Sequence, residues 1–498
     1  MNVTDYSQLL RLAWPEAIVV VTALAVLSID LLVLRGQATR VRFSVASGLG
    51  SVGCAGAILR LLLVPERGNV LDGVLIASSL TGLVQIALLV LTILTLLVSV
   101  DSTFTENIGE FVLLLLLATS GMMFLVGSQD LLVIFLSLEL LSLSLYVLAG
   151  FDKRSPRSAE AALKYFLFGG MSAAFLLFGF SYLYGLSNST RLADIAGSIH
   201  GSLLNPLLSI AMVTTVIGFG FKIAAVPFHF WAPDVYQGAP APSAAFIASG
   251  SKVASFFIFF QVMVLGFAGA EGNVQSPGFV RGWVPVLVIV AVLSMMLGNL
   301  VAITQTSVRR LLAYSAIAHA GYMLLAIASH TEDSLAALLY YVLTYAIATL
   351  GAFAVVAIVE EQTGSDAMSN FDGLNRRAPL LSLCLAIFLL SLAGIPPLAG
   401  FFAKFYLFVS VLAANPGARA MLWLVVLAIA MSAVSLYYYL RVLKRIYVTG
   451  LAVGAKEIRS SILSRVVLVV LALGVVLLGC APHSLVSWIV QAIHDSGL

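Results

Sequence analysis

Glu139, Lys222, Lys252 and Lys404 each stand deep inside a long apolar run, far from either of its ends. A charge at mid-bilayer costs roughly 2.5–3.5 kcal/mol on insertion scales, so each of these residues requires a local compensation or a task. The chemistry open to amines and carboxylates in that setting is reversible proton binding, because burial disfavours the charged form of an amine and a nearby carboxylate favours it. At about 7 Å and an effective dielectric near 20, a Glu–Lys pair is worth roughly 2.4 kcal/mol. Displacing Glu139 relative to Lys222 would change the free energy of proton release by about that much, and a series of such lysines makes a relay.

The charges belong to polar stripes at helical spacing. Glu139, Ser142 and Tyr146 share one face of a helix, as do Thr215, Gly218 and Lys222; Ser249, Lys252 and Ser255; and Ser315, His319 and Tyr322. Two of the apolar runs are interrupted. Pro227 removes a backbone donor five residues after Lys222, and the segment GIPPLAG (Gly394 to Gly400) breaks the run that holds Lys404. Irregular backbone persists at membrane depth only against protein or a wet cavity, which places Lys222 and Lys404 beside hydrated interruptions.

The elements that must position these residues are membrane helices. The 498 residues are 61% hydrophobic and 10% charged, with a mean hydropathy of +1.07. Runs of ~20 apolar residues match the thickness of the hydrocarbon, and about fourteen can be placed: 14–34, 43–63, 74–98, 109–126, 131–150, 164–185, 206–231, 243–267, 283–304, 312–329, 335–359, 380–411, 421–443 and 466–490. The longest connections, 186–205, 360–379 and 444–465, leave no room for a soluble domain. The expected fold is an all-α polytopic membrane protein, with residues 1–498 forming a single transmembrane bundle. The first span, with Asp5, Arg11 and Glu16 at its start and no small-residue cleavage pattern after it, reads as a retained helix.

Alternating the spans puts 35–42, 151–163, 305–311, 360–379 and 441–465 on one side, and these hold sixteen of the 26 Lys and Arg residues against six on the other side. The positive-inside rule makes the basic side cytoplasmic and both termini outer. Helices 1–3 (1–108) then precede two five-helix units of opposite topology, helices 4–8 (109–267) and 9–13 (283–443), and helix 14 (444–498) ends the chain. Lys222 against Lys404, Glu139 against His319, and broken helices 7 and 12 recur in the two units, the pattern by which inverted repeats place a site near the midplane. The two lysines do not superimpose simply, since Lys222 precedes its proline and Lys404 follows Pro396 and Pro397.

Other residues read as structure. Lys164 beside Glu160 is a scaffold ion pair, His229 a core histidine, and His319 a further relay candidate of about equal standing as a core residue. Tyr437, Tyr438 and Tyr439, with Trp14 and Trp488, read as interface anchors. Cys54, Cys384 and Cys480 fall in three different spans, without CxxC or His partners, and read as small buried hydrophobes with no metal or disulfide role. There is no HExxH, Walker A loop or GxGxxG after a strand, so no cofactor is indicated in this chain. The net charge of +3 follows from topology and gives no support to a nucleic-acid partner.

Three segments, KIAAVPFHFWAPDVYQGAPAPSAAF (Lys222 to Phe246), RRLLAYSAIAHAGYM (Arg309 to Met323) and SLAGIPPLAGFFAKFYLF (Ser391 to Phe408), resemble the antiporter-like subunits of respiratory complex I, the proton-translocating NADH:quinone oxidoreductase. The resemblance implies that Glu139 on helix 5 pairs with Lys222 on broken helix 7, that Lys252 on helix 8 forms the centre, and that Lys404 on broken helix 12 leads to the outer side. Lys404 resembles the N type, the M type having glutamate there, and the L type would be expected to continue past helix 14 into a lateral helix, where this sequence stops. Gln237 departs from the family, which often has an acidic residue in this loop. The resemblance further implies a proton-pumping translocase subunit in a cell inner (plasma) membrane, with other membrane-arm subunits of complex I, the lipid bilayer and protons as partners. NADH, FMN, iron–sulfur clusters and quinone would belong to partner subunits. The alternative is a subunit of a sodium/proton antiporter of the related cation-antiporter type, and a purely structural spacer is the third reading.

Overall fold

The computed structural model describes residues 3–64, 67–71, 73–199, 205–274, 280–414, 421–450 and 457–497, so parts of two expected connections, 200–204 and 451–456, lie outside the described residues. The chain is helical almost throughout. Helices α1 (Val3–Leu12), α2 (Trp14–Ile29, continued by a π turn Asp30–Leu34), α3 (Thr39–Leu63) and α4 (Ser79–Ser99) form the first group. They are followed by α5 (Ile108–Val126), α6 (Leu131–Ala149), α7 (Pro156–Ser187), α8 (Leu192–Ile199), α9 (Pro206–Lys222), α10 (Trp231–Gly238), α11 (Ala241–Ala248) and α12 (Gly250–Gln261, with a π turn Val262–Gly266). The remainder are α13 (Trp283–Thr304), α14 (Val308–Ser329), α15 (Glu332–Thr363), α16 (Leu374–Arg377), α17 (Pro379–Ala393), α18 (Ala399–Ala413), α19 (Leu422–Tyr447), α20 (Ile462–Cys480) and α21 (Pro482–Ser496).

Among the described residues, 12 helices are long and apolar enough to cross a membrane, and the spans over 206–231 and 380–411 are broken as expected, into the pairs α9/α10 and α17/α18. Helix starts follow local chemistry. Asp130 accepts the Leu132 and Val133 amides (2.9 and 3.2 Å), Asn205 the Leu208 amide (2.7 Å), and Thr331 closes a capping box with Ser334.

Four expectations are corrected. The span set at 74–98 begins at Ser79, because Leu75–Ala77 pairs antiparallel with Gly68–Val70 in a small hairpin and Ser78 caps α4. The span set at 466–490 is two helices, since Pro482 cannot continue α20 and opens α21 instead. Cys480, at that joint, is exposed, whereas Cys54 and Cys384 are buried as expected. Gln237 lies within α10, not in a loop, and accepts from Arg310 Nη1 (3.3 Å).

The helices are arranged around an inner set. Helices α11, α12, α14 and α15 are buried on nearly every side, while α3, α7, α19 and α20 keep one face of exposed Leu, Val and Phe. That gradient fits a bundle whose outer faces meet lipid or neighbouring chains. Helix α14 lies along α13 at close range: a Cβ on Gly298 would stand 2.5 Å from the Ala318 amide nitrogen, and one on Gly321 2.7 Å from that of Met295. Small residues here let two backbones meet without side chains between them.

One end of the bundle is tied together by charges. Lys164 bonds Glu160 (2.6 Å), as expected, and also Asp234 (2.7 Å), which takes Arg310 as well (2.7 Å). Buried Arg309 donates to the carbonyls of Tyr236 (2.8 Å) and Ala239 and pairs with Glu360 (3.0 Å). The segment 231–239 is thereby fixed to α7, α14 and α15.

Replacing Gly298 or Gly321 with leucine should destabilise the purified protein by about 1–3 kcal/mol or more through overpacking. Gly48→Ala, where nothing lies within 4 Å, should leave the thermal midpoint unchanged or slightly raised. Asp234, which lies beyond the expected span, is pushed up by burial, but the hydrogen bonds and charges of Lys164 and Arg310 outweigh this and hold it below the usual carboxylate value. Its stabilising contribution is therefore complete above the ordinary aspartate range and is lost as pH falls through the lowered folded value. Asp234→Asn should cost about 1 kcal/mol at neutral pH, given the partial exposure, and the difference in melting from the parent should vanish in strong acid.

Candidate functional site

Lys222 is the last residue of α9, and the chain then leaves the helix through 223–230. Trp231 Nε1 donates to the Phe221 carbonyl (2.9 Å), satisfying one oxygen that the break exposes. The lysine crosses to α6, where its Nζ donates to Ser142 Oγ (2.6 Å) and stands 5.9 Å from the centre of the Tyr146 ring. The stripe Glu139, Ser142 and Tyr146 therefore does face Lys222. Glu139 itself is half-buried, sits one turn from Ser142, and forms no ion pair within 4 Å among the described residues. The contact partner of Lys222 is a hydroxyl, with the carboxylate behind it.

The run expected as an unbroken helix 8 is interrupted at Ser249 (φ −114°, ψ −82°), which separates α11 from α12 three residues before Lys252. Lys252 is 1% exposed, and its Nζ donates to the Ala316 carbonyl of α14 (3.0 Å) and lies 5.7 Å from the Tyr345 ring centre. Ser249 and Ser255, expected to line its face, bond backward to the Ala245 and Ser251 carbonyls (2.7 and 2.6 Å) instead. Such i−4 bonds commonly absorb a serine hydroxyl in a helix.

His319 is buried on α14 among tyrosines. Its Nδ1 shares a hydrogen bond with Tyr341 (2.8 Å) and its Nε2 meets the Tyr439 hydroxyl at 3.4 Å. Tyr439 also bonds Ser315, and the Tyr345 ring centre lies 5.0 Å from that of the histidine. Beside this group Asn299 donates to Tyr322 Oη (2.9 Å) and accepts from Tyr438 Oη (3.0 Å). Tyr438 and Tyr439 are fully buried, which corrects their reading as interface anchors, whereas Tyr437, Trp14 and Trp488 are exposed. In the run 437–439, 100° per residue sends one ring outward and two inward, and the spacing of Tyr341 and Tyr345 along α15 marked the same cluster in the sequence.

Lys404 lies in α18 but reaches back across the break. Its Nζ donates to the Leu392 and Ala393 carbonyls (3.1 and 2.9 Å) at the end of α17 and to Ser432 Oγ of α19 (2.8 Å). Gly394, at φ +87°, ends α17 in the left-handed conformation that glycine adopts without strain, and a side chain there would press on the lysine. The Tyr322 ring centre is 5.4 Å from Nζ, joining the lysine to the His319 group. A cavity of about 10 Å³, lined by His319, Tyr341, Tyr345, Ser391 and Gly400, opens between that group and the break. It has room for about one water.

The unequal spacing of the two broken runs is thus resolved in space. Lys222 belongs to the C-terminal turn of α9 and Lys404 caps that of α17, so each lysine is tied to the end of a first half-helix, where the macrodipole is negative, the first by its place in the chain and the second by its amine. Lys222, Lys252 and Lys404 have no carboxylate within 4 Å among the described residues. His229, within the break after α9, packs on Phe230 (4.5 Å between ring centres) and bonds none of these lysines. No group of three or more metal-ligating side chains occurs among the described residues.

Residues 128–432 match the family model described as NADH:quinone oxidoreductase/Mrp antiporter, transmembrane. NADH-quinone oxidoreductase subunit N 2 of Acidobacterium capsulatum is 54% identical over 98% of this chain and 100% of its own. Respiratory complex I from Thermus thermophilus contains a chain with 33% identity and a TM-score of 0.78, covering 95% of this chain and 98% of that one. The Mrp complex from Dietzia sp. contains a chain of the same fold, with a TM-score of 0.79 at 19% identity over 98% and 97% of the two chains. Spanning the broken helices and all four midspan charges, these likenesses place the chain in the NADH:quinone oxidoreductase/Mrp antiporter transmembrane family.

Proposed function

We propose that this protein is a proton-translocating membrane-arm subunit of NADH:quinone oxidoreductase, in which Lys222, Lys252 and Lys404 exchange protons, the His319 group links the last two, and Glu139 responds to a neighbouring subunit. The observation that carries the reading is the bonding of the three lysines. Among the described residues, each ammonium is held by neutral oxygens alone. An amine that loses its proton keeps two donors for carbonyl oxygens and gains a lone pair that can accept from a serine hydroxyl, and no buried carboxylate is left unpaired, a state that would cost about 3–5 kcal/mol.

Protons loaded from the basic-loop side pass by Lys222 and Lys252 to Lys404 and outward, both termini being on the outer side. The similar placing of Lys222 and Lys404 at half-helix ends supports two inverted units, 109–267 and 283–443, that alternate in access. NADH oxidation and quinone reduction take place in partner subunits that hold FMN and iron–sulfur clusters, and this chain contributes the membrane step. Its half-exposed Glu139 on α6 is suited to feel a charge or displacement arriving at the bundle surface.

Lys252→Arg keeps the charge and the donors but cannot release a proton. In the assembled enzyme it should slow proton pumping by at least about tenfold, a barrier change of roughly 1.4 kcal/mol, as should Lys222→Ala and Lys404→Ala. Pumping at parental rate by correctly assembled Lys252→Arg enzyme, followed with a pH-sensitive dye in proteoliposomes, would rule out proton exchange at that amine. Tyr439→Phe removes the hydroxyl shared by Ser315 and His319, worth about 1 kcal/mol. A fall of about fivefold in NADH-driven pumping is expected, with Tyr437→Phe, on the exposed ring, unaffected.

A further inference from the structure

Apart from the lysine axis, a groove of about 550 Å³ opens where the start of α2, the end of α3, the start of α4 and helix α21 meet, a size suited to a sizeable apolar ligand. Leu12, Leu61, Leu62, Ile86 and Trp488 contribute to its walls, and Arg11, Arg60 and Arg67 to its rim. All four helix ends belong to the side opposite the basic loops, and that side has only six Lys and Arg in the whole chain. Half of them gather at this one opening. The positive-inside trend depletes such residues here, so their concentration requires another cause.

Two of the arginines are held in place. Arg67 bonds Asp495 and Ser79 Oγ (both 2.9 Å), and Arg60 donates to the Val64 carbonyl (2.8 Å). Further along α2, buried Glu16 accepts from Gln85 (2.6 Å) and its other carboxylate oxygen has no partner. Among the described residues, the rim carries three positive charges against Asp495 and the deeper Glu16. The apolar wall does not end inside the protein: Leu62 is 62% exposed and continues onto Leu59 and Leu63 of the outer face of α3, so the groove opens sideways toward hydrocarbon.

We propose that this groove binds one anionic glycerophospholipid of the adjoining leaflet, its phosphate on the arginines and an acyl chain along the leucine wall. Guanidinium groups bind phosphate by paired hydrogen bonds, and a groove with a cationic rim and an apolar wall open to the bilayer matches a molecule with an anionic head and a hydrocarbon tail. Trp488, 70% exposed at the mouth, has the amphipathic ring common at headgroup level.

The test uses the intact purified enzyme in nanodiscs with a trace of phosphatidylglycerol bearing a photoreactive acyl chain, and peptide mapping of the label. Label is expected on 58–64 and 83–86. The double variant Arg11→Gln, Arg60→Gln should reduce it roughly thirtyfold, each arginine giving a factor of about five, with NADH oxidation and assembly unchanged. Arg281→Gln, on the same side but away from the groove, should have no effect. The proposal is overturned by absence of label in this groove, as when a neighbouring chain fills it. It is equally overturned by equal labelling from photoreactive phosphatidylcholine, by persistence in the double variant, or by displacement with inorganic phosphate, which would assign the rim to free phosphate.

Discussion

An ammonium group removed from water must find oxygen dipoles to replace its hydration, and the architecture of this bundle follows from supplying them to three lysines. Lys222 takes a serine hydroxyl from α6, Lys252 a carbonyl from the side of α14, and Lys404 two carbonyls at the end of α17 with a serine from α19. Charges toward one end of the bundle are treated differently. Arg309, Arg310 and Lys164 are each bonded to carboxylates, as is Arg42, which holds buried Asp30 with two bonds of 2.9 and 2.6 Å. Carboxylate pairing fixes a charge in place, because removal of either member strands the other. Pairing with neutral oxygens does not, and this division separates the carboxylate-held charges from the three buried lysines.

The break in the run 380–411 serves the same need for Lys404. An intact helix consumes its own carbonyls, whereas a half-helix ends in oxygens that require outside donors. Helix α17 ends at Gly394 and is capped by a lysine from the following half, and α9 ends in its own lysine while Trp231 attends the Phe221 carbonyl. The interruption at Ser249 puts a third irregularity beside the third lysine. Between Lys252 and Lys404 the structure places His319 with Tyr341, Tyr345, Tyr439 and Tyr322, hydroxyl and imidazole groups that both donate and accept.

Much of this was legible in the chain. The apolar runs fell on helices with ends shifted by a few residues, the stripe on α6 faced Lys222, and Lys164 paired with Glu160 as its position suggested. The departures have local causes. The hairpin at 68–77 is too short to interrupt an apolar run visibly, and Pro482 lies in a segment apolar enough to read as one span. The interruption at Ser249 is marked only by the following Gly250, a residue that apolar membrane helices often tolerate, so the run before Lys252 read as continuous.

Sequence alone determined that the protein lives in a bilayer and that Glu139, Lys222, Lys252 and Lys404 sit deep within its spans, because hydropathy and length depend only on the order of residues. It also determined that the runs holding Pro227 and Pro396–Pro397 must break, since proline acts on its own backbone. The tertiary structure alone decided what each charge touches. Lys404 bonds carbonyls eleven and twelve residues earlier in the chain, Lys252 one that is 64 residues away, and Tyr439 reaches His319 across 120. Such acceptors are chosen by how helices cross and where half-helices end, and periodicity within one helix contains no record of its neighbour.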